Sequence, residues 1–225
     1  MDRTVAIAIT EGSTHWKSSP WSHSRGKRMF DIFAASLVLL PCLPFMALIA
    51  VGVALTSRGP VLFRQKRVGE HGRAFQLLKF RTMLYCSGES GPGVTRQGDP
   101  RITPVGRFLR RCKLDELPQL LNVLRGDMSL VGPRPDLPEF CLALAAEHQP
   151  LLELRPGLTG CATVQFRNEE RLLAAVPKER LINYYVDTVL PQKARLDLAY
   201  AEKATFLSDL KILWLTFSIR RDDLG

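Results

Sequence analysis

Apolar positions crowd into residues 32–57, a run of 26 uncharged residues bounded by Asp31 and Arg58. A straight helix over this run would measure roughly 39 Å at 1.5 Å per residue, longer than a hydrocarbon core of about 30 Å. Pro41 and Pro44 interrupt it near the middle. Each proline removes a backbone donor and crowds the preceding turn, so the pair predicts a sharp bend with a helical arm on either side. Neither arm, at roughly 10 to 13 residues, is long enough to cross alone. Arg25, Lys27 and Arg28 precede the run and Arg58, Arg64, Lys66 and Arg67 follow it; basic flanks favour the cytoplasmic side, here for both ends. The shape expected is a re-entrant membrane helix over residues 28–58, dipping into one leaflet. A proline-kinked span and a buried pair of soluble helices fit the same residues. A cleaved signal peptide does not, because the run starts too far in and is too long for a secretory h-region.

The pattern elsewhere is weaker. Residues 1–25 mix Ser, Thr, His and two Trp without a period, which predicts a flexible N-terminal tail, with Trp16 and Trp21 as candidates to touch an interface. Pro60-Val61-Leu62-Phe63 reads as a short extended segment, residues 69–73 as a turn and 74–80 as a strand. Residues 87–104 are rich in Gly and Pro and predict a loop, long enough to close over a ligand, or disorder. Helical spacing returns over 106–124, where Leu117, Leu120, Leu121 and Leu124 share a stripe. It recurs over 169–175, 178–188 and 196–219, the last carrying Phe206, Leu207, Leu210, Leu213, Trp214 and Phe217, a composition suited to core packing or to an interfacial helix. The fold class expected is α+β, mainly helical. The architecture expected is that of a monotopic membrane protein with an N-terminal re-entrant hairpin, interfacial helices and a small strand element, formed by a single domain over residues 26–225.

Charge narrows the partners. The net charge is +9, and residues 58–113 hold 13 Lys or Arg against three acids, a local +10 beside the apolar run. Such a field attracts anionic lipid and phosphorylated substrates. No zinc-finger spacing, RNP-like strand or isolated basic helix supports nucleic acid as a partner. The five cysteines, Cys42, Cys86, Cys112, Cys141 and Cys161, are scattered and odd in number, which fits a reducing compartment rather than a disulfide framework.

Candidate chemistry gathers after the basic segment. Asp115 and Glu116 stand just before the leucine stripe, with Pro118 acceptable in a first helical turn. Asp115 reads either as a simple N-cap with Glu116 as first-turn decoration, or as half of a carboxylate pair facing an anion. Pro133 and Pro135 bracket Arg134 and restrict its backbone, lowering the cost of aiming a guanidinium at phosphate. Arg155-Pro156-Gly157-Leu158-Thr159-Gly160 repeats the logic, with glycines that let amides approach an anion. Adjacent carboxylates can divide the work on a phosphate ester, one attacking phosphorus and the other holding a divalent ion.

These motifs, in order, resemble a known family, the bacterial monotopic phosphoglycosyl transferases or bacterial sugar transferases. The markers are Lys27-Arg28-Met29-Phe30-Asp31, Lys79-Phe80-Arg81-Thr82-Met83, Leu114-Asp115-Glu116-Leu117-Pro118-Gln119-Leu120, residues 126–135 and residues 155–160. The resemblance covers residues 27–217. It implies transfer of a phosphosugar from a nucleotide diphosphate sugar, typically a UDP-sugar, to polyprenyl phosphate through a covalent aspartyl-phosphosugar intermediate. The implied location is the bacterial inner membrane, with the active site on the cytoplasmic face. It implies Asp115 as nucleophile, Glu116 as the Mg²⁺ ligand, and Lys79, Arg81, Arg134 and Arg155 as phosphate contacts. Asp197 resembles the family's later essential acid, provided residues 166–194 are read as an insertion or extended loop. Two departures stand out: Leu43-Pro44 with an added Pro41 replaces a frequent Ser-Pro at the bend, and Cys161-Ala162-Thr163-Val164 replaces a frequent Trp-Ala-Gln-Val. A homo-oligomer, another Mg²⁺-dependent membrane phosphotransferase and a non-catalytic membrane scaffold stay open as alternatives.

Overall fold

The computed structural model describes residues 16–84, 95 and 98–218. Residues 1–15 of the tail expected over 1–25, and most of the expected 87–104 loop, with Cys86, lie outside the described residues.

Helix α1, Arg25–Thr56, starts at Ser24, whose hydroxyl accepts the Lys27 amide at 3.0 Å. It runs as one helix of 32 residues through Pro41 and Pro44, where two arms were expected. Its buried positions are Lys27, Asp31, Ala35, Leu39, Ile49 and Val53, a single face along the whole length. Ala35 and Leu39 pack into a cluster with Leu77, Val123 and Met128, while Ile49 and Val53 pack with Phe80 and Leu109. Phe30, Ala34, Met46 and Ala50 flank that face, and much of the remainder of α1 faces outward, with only 17% of its most apolar 18-residue window buried.

Strands β1 (Leu62–Val68) and β2 (Ala74–Phe80) form an antiparallel hairpin from Leu62↔Phe80 to Val68↔Ala74. The extended segment anticipated at 60–63 is thus the start of a longer strand, and the predicted turn and second strand are present. His71 and Gly72 close the hairpin with positive φ. The far edge of β2 is met by a side chain: Asn122 Oδ1 accepts the Leu78 amide at 3.1 Å and its Nδ2 donates to the Gln76 carbonyl at 2.8 Å. Asn122 therefore supplies the bonds a neighbouring strand would make.

The helix expected over 106–124 is broken. α2 (Pro104–Arg111) stops at Cys112, Lys113 adopts a left-handed φ of 55°, and Leu114–Glu116 form a 3₁₀ turn before α3 (Gln119–Arg125). Asp115 does not cap α3; Pro118 takes that position, three places earlier in the helix than the third position it would hold behind an Asp115 cap. β3 (Ser129–Val131) then pairs in parallel with β4 (Gly157–Thr159), with α4 (Pro138–Leu142) in the connection.

Residues 166–194 are helical rather than an extended loop. After α5 (Cys161–Gln165) come α6 (Glu169–Ala174) and α7 (Leu181–Tyr184), and a π turn, Tyr185–Val189, leads into α8 (Leu190–Lys203). Leu173, Leu181, Tyr185, Val189 and Leu190 bury into one cluster with Phe140 and Leu151, which explains why this stretch folds. The single final helix expected over 196–219 is two helices, α8 and α9 (Phe206–Ser218), separated at Ala204 and Thr205. The Ser208 hydroxyl and Thr205 bond reciprocally at the start of α9, marking a new N-terminus. The segment before α1 is docked from Trp16 onward: the Ser19 amide donates to the Ala201 carbonyl at 2.8 Å, and Trp21 Nε1 donates to Asp209 Oδ2 at 2.8 Å.

Candidate active site

Two devices place the acidic pair. The left-handed turn at Lys113 redirects the chain after α2, and Asn122 fastens α3 to β2, so the 3₁₀ turn carrying Asp115 and Glu116 sits against the strand carrying Lys79. Arg134 arrives from the Pro-Arg-Pro segment. That segment is held on both sides: the Gly157 amide donates to Pro133 O at 2.7 Å and Arg67 donates to Pro135 O at 3.2 Å.

Lys79 Nζ lies 2.9 Å and Arg134 Nη2 2.7 Å from the same oxygen, Oε1 of Glu116. Burial opposes ionisation of Glu116, but the Arg134 and Lys79 charges override it and hold its carboxyl well below the usual range. The Glu116 charge in turn raises Arg134, against its own burial. Lys79 moves the other way, lowered by burial although Glu116 opposes. Asp115 is 6% exposed. Burial pushes its carboxyl up, Lys79 draws it down, and the negative charge of Glu116 adds to the rise. Neighbouring acids thus have divergent proton affinities, a pattern frequent where carboxylates take different roles.

Other expected residues are placed differently. Arg81 is 5% exposed and its guanidinium is occupied by the carbonyls of Pro60 and Ser57 and the Ser57 hydroxyl, closing the end of α1 onto β2. Arg155 donates twice to Glu70 Oε2, at 3.1 and 2.8 Å. Asp197 is 5% exposed and accepts the Ala162 amide at 2.8 Å; burial raises its carboxyl to about 7 against that bond and the charge of Lys193. Arg155 and Asp197 line a small internal space that also borders Lys27, Gly132 and Asp209. The arrangement therefore gathers Lys79, Asp115, Glu116 and Arg134, and sets Arg81, Arg155 and Asp197 around the supporting frame.

Residues not singled out from the sequence enter here. Arg110 on α2 faces Asp115 electrostatically, donates to the Thr82 hydroxyl at 3.0 Å and pairs with Glu170 at 3.0 Å. Glu169 acts on Arg134 and is held by Lys193 at 2.8 Å. Buried Asp209 receives Lys27 at 2.5 Å and Tyr200 at 2.6 Å, joining α1 to α8 and α9. Arg110 lay in a recognisable basic cluster; Glu169 and Asp209 carried no local signal beyond helical spacing.

Comparison with known proteins decides the family. A family model described as Bacterial sugar transferase matches residues 22–221. The chain belongs to the bacterial sugar transferase family. Similar proteins include a UDP-glucose:undecaprenyl-phosphate glucose-1-phosphate transferase of Caulobacter vibrioides, 42% identical over 197 residues that cover 84% of this chain and 67% of that protein. An undecaprenyl-phosphate glucose phosphotransferase of Komagataeibacter xylinus is 40% identical over 84% of this chain and 35% of its own length. A putative undecaprenyl-phosphate N-acetylgalactosaminyl 1-phosphate transferase of Bacillus subtilis is 45% identical over 51% of this chain and 64% of its own length. The chain thus spans between about a third and two thirds of these relatives. The family match reaches beyond α9 and includes the helical segment 166–194.

Proposed function

We propose that this chain transfers a phosphosugar from a nucleotide diphosphate sugar, of the UDP class, to polyprenyl phosphate at the cytoplasmic face of a bacterial inner membrane. The observation that carries the reading is the convergence of Lys79 and Arg134 on one oxygen of Glu116, immediately beside buried Asp115. Relatives named for UDP-glucose and undecaprenyl phosphate support the substrate classes.

In the first step a carboxylate oxygen of Asp115 attacks the sugar-linked phosphorus. The bond from that phosphorus to the bridging oxygen breaks, and the nucleoside monophosphate leaves with its electron pair. In the second, an oxygen of polyprenyl phosphate attacks the same phosphorus and the Asp115 carboxylate leaves, giving a polyprenyl-diphosphate-linked sugar. Attack needs ionised Asp115, which burial resists and Lys79 favours. Lys79 and Arg134, held ready on Glu116, can turn to the phosphate oxygens as charge develops on them. Among the described residues no cluster of three or more His, Cys, Asp or Glu forms a ready metal site. Mg²⁺ commonly uses one or two carboxylates completed by substrate phosphates and water, so the Asp115–Glu116 pair fits it, with Glu116 as the protein ligand. When bound, the ion would neutralise diphosphate oxygens.

Membrane attachment follows the same reading, with α1 as a re-entrant element. α9 presents Leu207, Leu210, Trp214 and Phe217 outward on one face, which supports an interfacial helix. Anionic lipid would meet the basic segment beside α1.

The test is intact-mass analysis of protein in lipid nanodiscs with Mg²⁺ and a UDP-sugar panel but no acceptor. A phosphosugar adduct and monophosphate release are expected, with discharge on adding polyprenyl phosphate. Asp115→Asn should abolish the adduct while the protein stays folded; adduct formation at wild-type level would refute the role of Asp115.

A further inference from the structure

An open cavity of 710 Å³ lies between α5, α6 and α8. Its wall carries Gln165, Phe166, Asn168, Glu169, Gln192 and Arg195, none of which belongs to the motifs that handle phosphate. Glu169 ties it to the reacting centre. Its Oε2 accepts from Lys193 at 2.8 Å and its charge acts on Arg134, which in turn holds Glu116. Glu170, the next residue, pairs with Arg110, whose charge acts on Asp115. The start of α6 is thus linked to each acid of the pair through one cation.

We infer that this cavity receives the sugar of the donor, an inference that rests on the phosphosugar-transfer reading above. Attack at the sugar-linked phosphorus divides the donor: the nucleotide departs, while the sugar stays through both half-reactions and needs a place to stay. The wall suits a ring of hydroxyls. Gln165, Asn168 and Gln192 each bring a donor and an acceptor, and Glu169 adds acceptor oxygens. Phe166 offers an apolar surface to the C–H face of a pyranose. These groups come from two directions, the α5–α6 junction and α8, so hydroxyls on opposite sides of a ring can be read together. A nucleobase could stack on Phe166 but presents its polar atoms along one plane; Leu172 and Leu196 add apolar wall, which the C–H faces of a pyranose can use, whereas a polyprenyl chain would leave the three amides without partners. The volume falls in the range of about 300–1,000 Å³ usual for small-molecule sites.

The side chains of Asn168 and Gln192 belong to exposed residues, so Asn168→Ala and Gln192→Ala leave the core untouched. Full-length protein in nanodiscs would be titrated with UDP-glucose, UDP-galactose, their N-acetylated counterparts and UDP alone, in an Asp115→Asn background that keeps the donor intact. Turnover of the same donors would be measured with Asp115 present. Each variant should weaken the Kd and kcat/KM of the preferred UDP-sugar by about fivefold to tenfold. The Kd of UDP should hold within about twofold, and the preference between C4 epimers should narrow. Equal weakening of UDP and UDP-sugar would assign the cavity to the nucleotide and overturn the inference, as would unchanged binding and discrimination. Failure of the unsubstituted protein to bind or turn over every donor would instead sink the functional reading, and this inference with it.

Discussion

Arg81 and Asp197 share with Lys79, Asp115, Glu116 and Arg134 a place in a motif, yet their side chains are occupied by the frame. Arg81 joins the end of α1 to β2 through carbonyls that a lysine could not span, since one ammonium lacks the planar fork. Arg81→Lys should therefore lower stability by about 2 kcal/mol while leaving the donor KM of the folded fraction unchanged; thermal unfolding with steady-state kinetics checks both. For Asp197 the effect is one of pH. Its folded carboxyl stands at about 7, against about 3.9 when unfolded. Between these values the native state keeps a proton that the unfolded chain has lost. Stability is therefore full below about pH 4, falls as pH rises and levels off above about 7. Asp197→Asn removes that proton equilibrium while keeping an oxygen for the Ala162 amide. The variant should be more stable than the parent at pH 8, by at most about 4 kcal/mol and with a higher unfolding temperature, the gap closing near pH 4. A gap indifferent to pH would refute the assignment.

Elements couple the frame to the site at close backbone approaches, and α2 gives the sharpest case. A Cβ at Gly106 would lie 2.0 Å from the carbonyl oxygen of Thr82, so α2 rests directly on the chain leaving β2. Gly106→Ala must push α2 away, carrying off Arg110 and its bond to Glu170. A loss of about 1–3 kcal/mol or more is expected, with reduced turnover in molecules that still fold. Gly52→Ala is the control: nothing lies within 4 Å of its Cβ position, and alanine favours the helix. The unfolding temperature should drop for the first and hold or rise for the second. Element scale is also where the sequence was most and least legible. The strand at 74–80 and the leucine stripe of α3 follow from period and composition, and the acidic pair stood out by motif. The breaks at Lys113 and at Ala204–Thr205 did not, because a non-glycine left-handed residue and a two-residue gap leave helical spacing nearly intact. Glu169 was invisible for a related reason: its importance comes from Lys193 and Arg134, brought to it only by the packing of residues 166–194.

At the scale of the whole molecule the question is how a body that surrounds charged residues lies against lipid. The body runs along α1, since its first half packs on β2, α3 and β3 and its second half on β2 and α2. Lys27 is bound to Asp209 at one end, and Ser57 to Arg81 at the other. Were α1 to cross the bilayer upright, Arg81, Arg110 and the acidic pair would be drawn toward the hydrocarbon, at about 2.5–3.5 kcal/mol or more for each charge left at its centre. An α1 that stays in one leaflet avoids this. Pro41 and Pro44 would ease that course by releasing the carbonyls of Leu37 and Leu40 from helical bonding. Arg25 and Arg58 are exposed beyond either end of the apolar run, so Arg25→Cys and Arg58→Cys, each in a chain lacking its native cysteines, report topology directly. In sealed vesicles both should react with an impermeant maleimide from the cytoplasmic side alone. Reaction from opposite sides would establish a span. Combining Pro41→Ala and Pro44→Ala with Arg58→Cys should increase labelling from the periplasmic side, because a helix relieved of both prolines is long and apolar enough to cross. Unchanged one-sided labelling would show that body packing, rather than the prolines, keeps α1 in its leaflet.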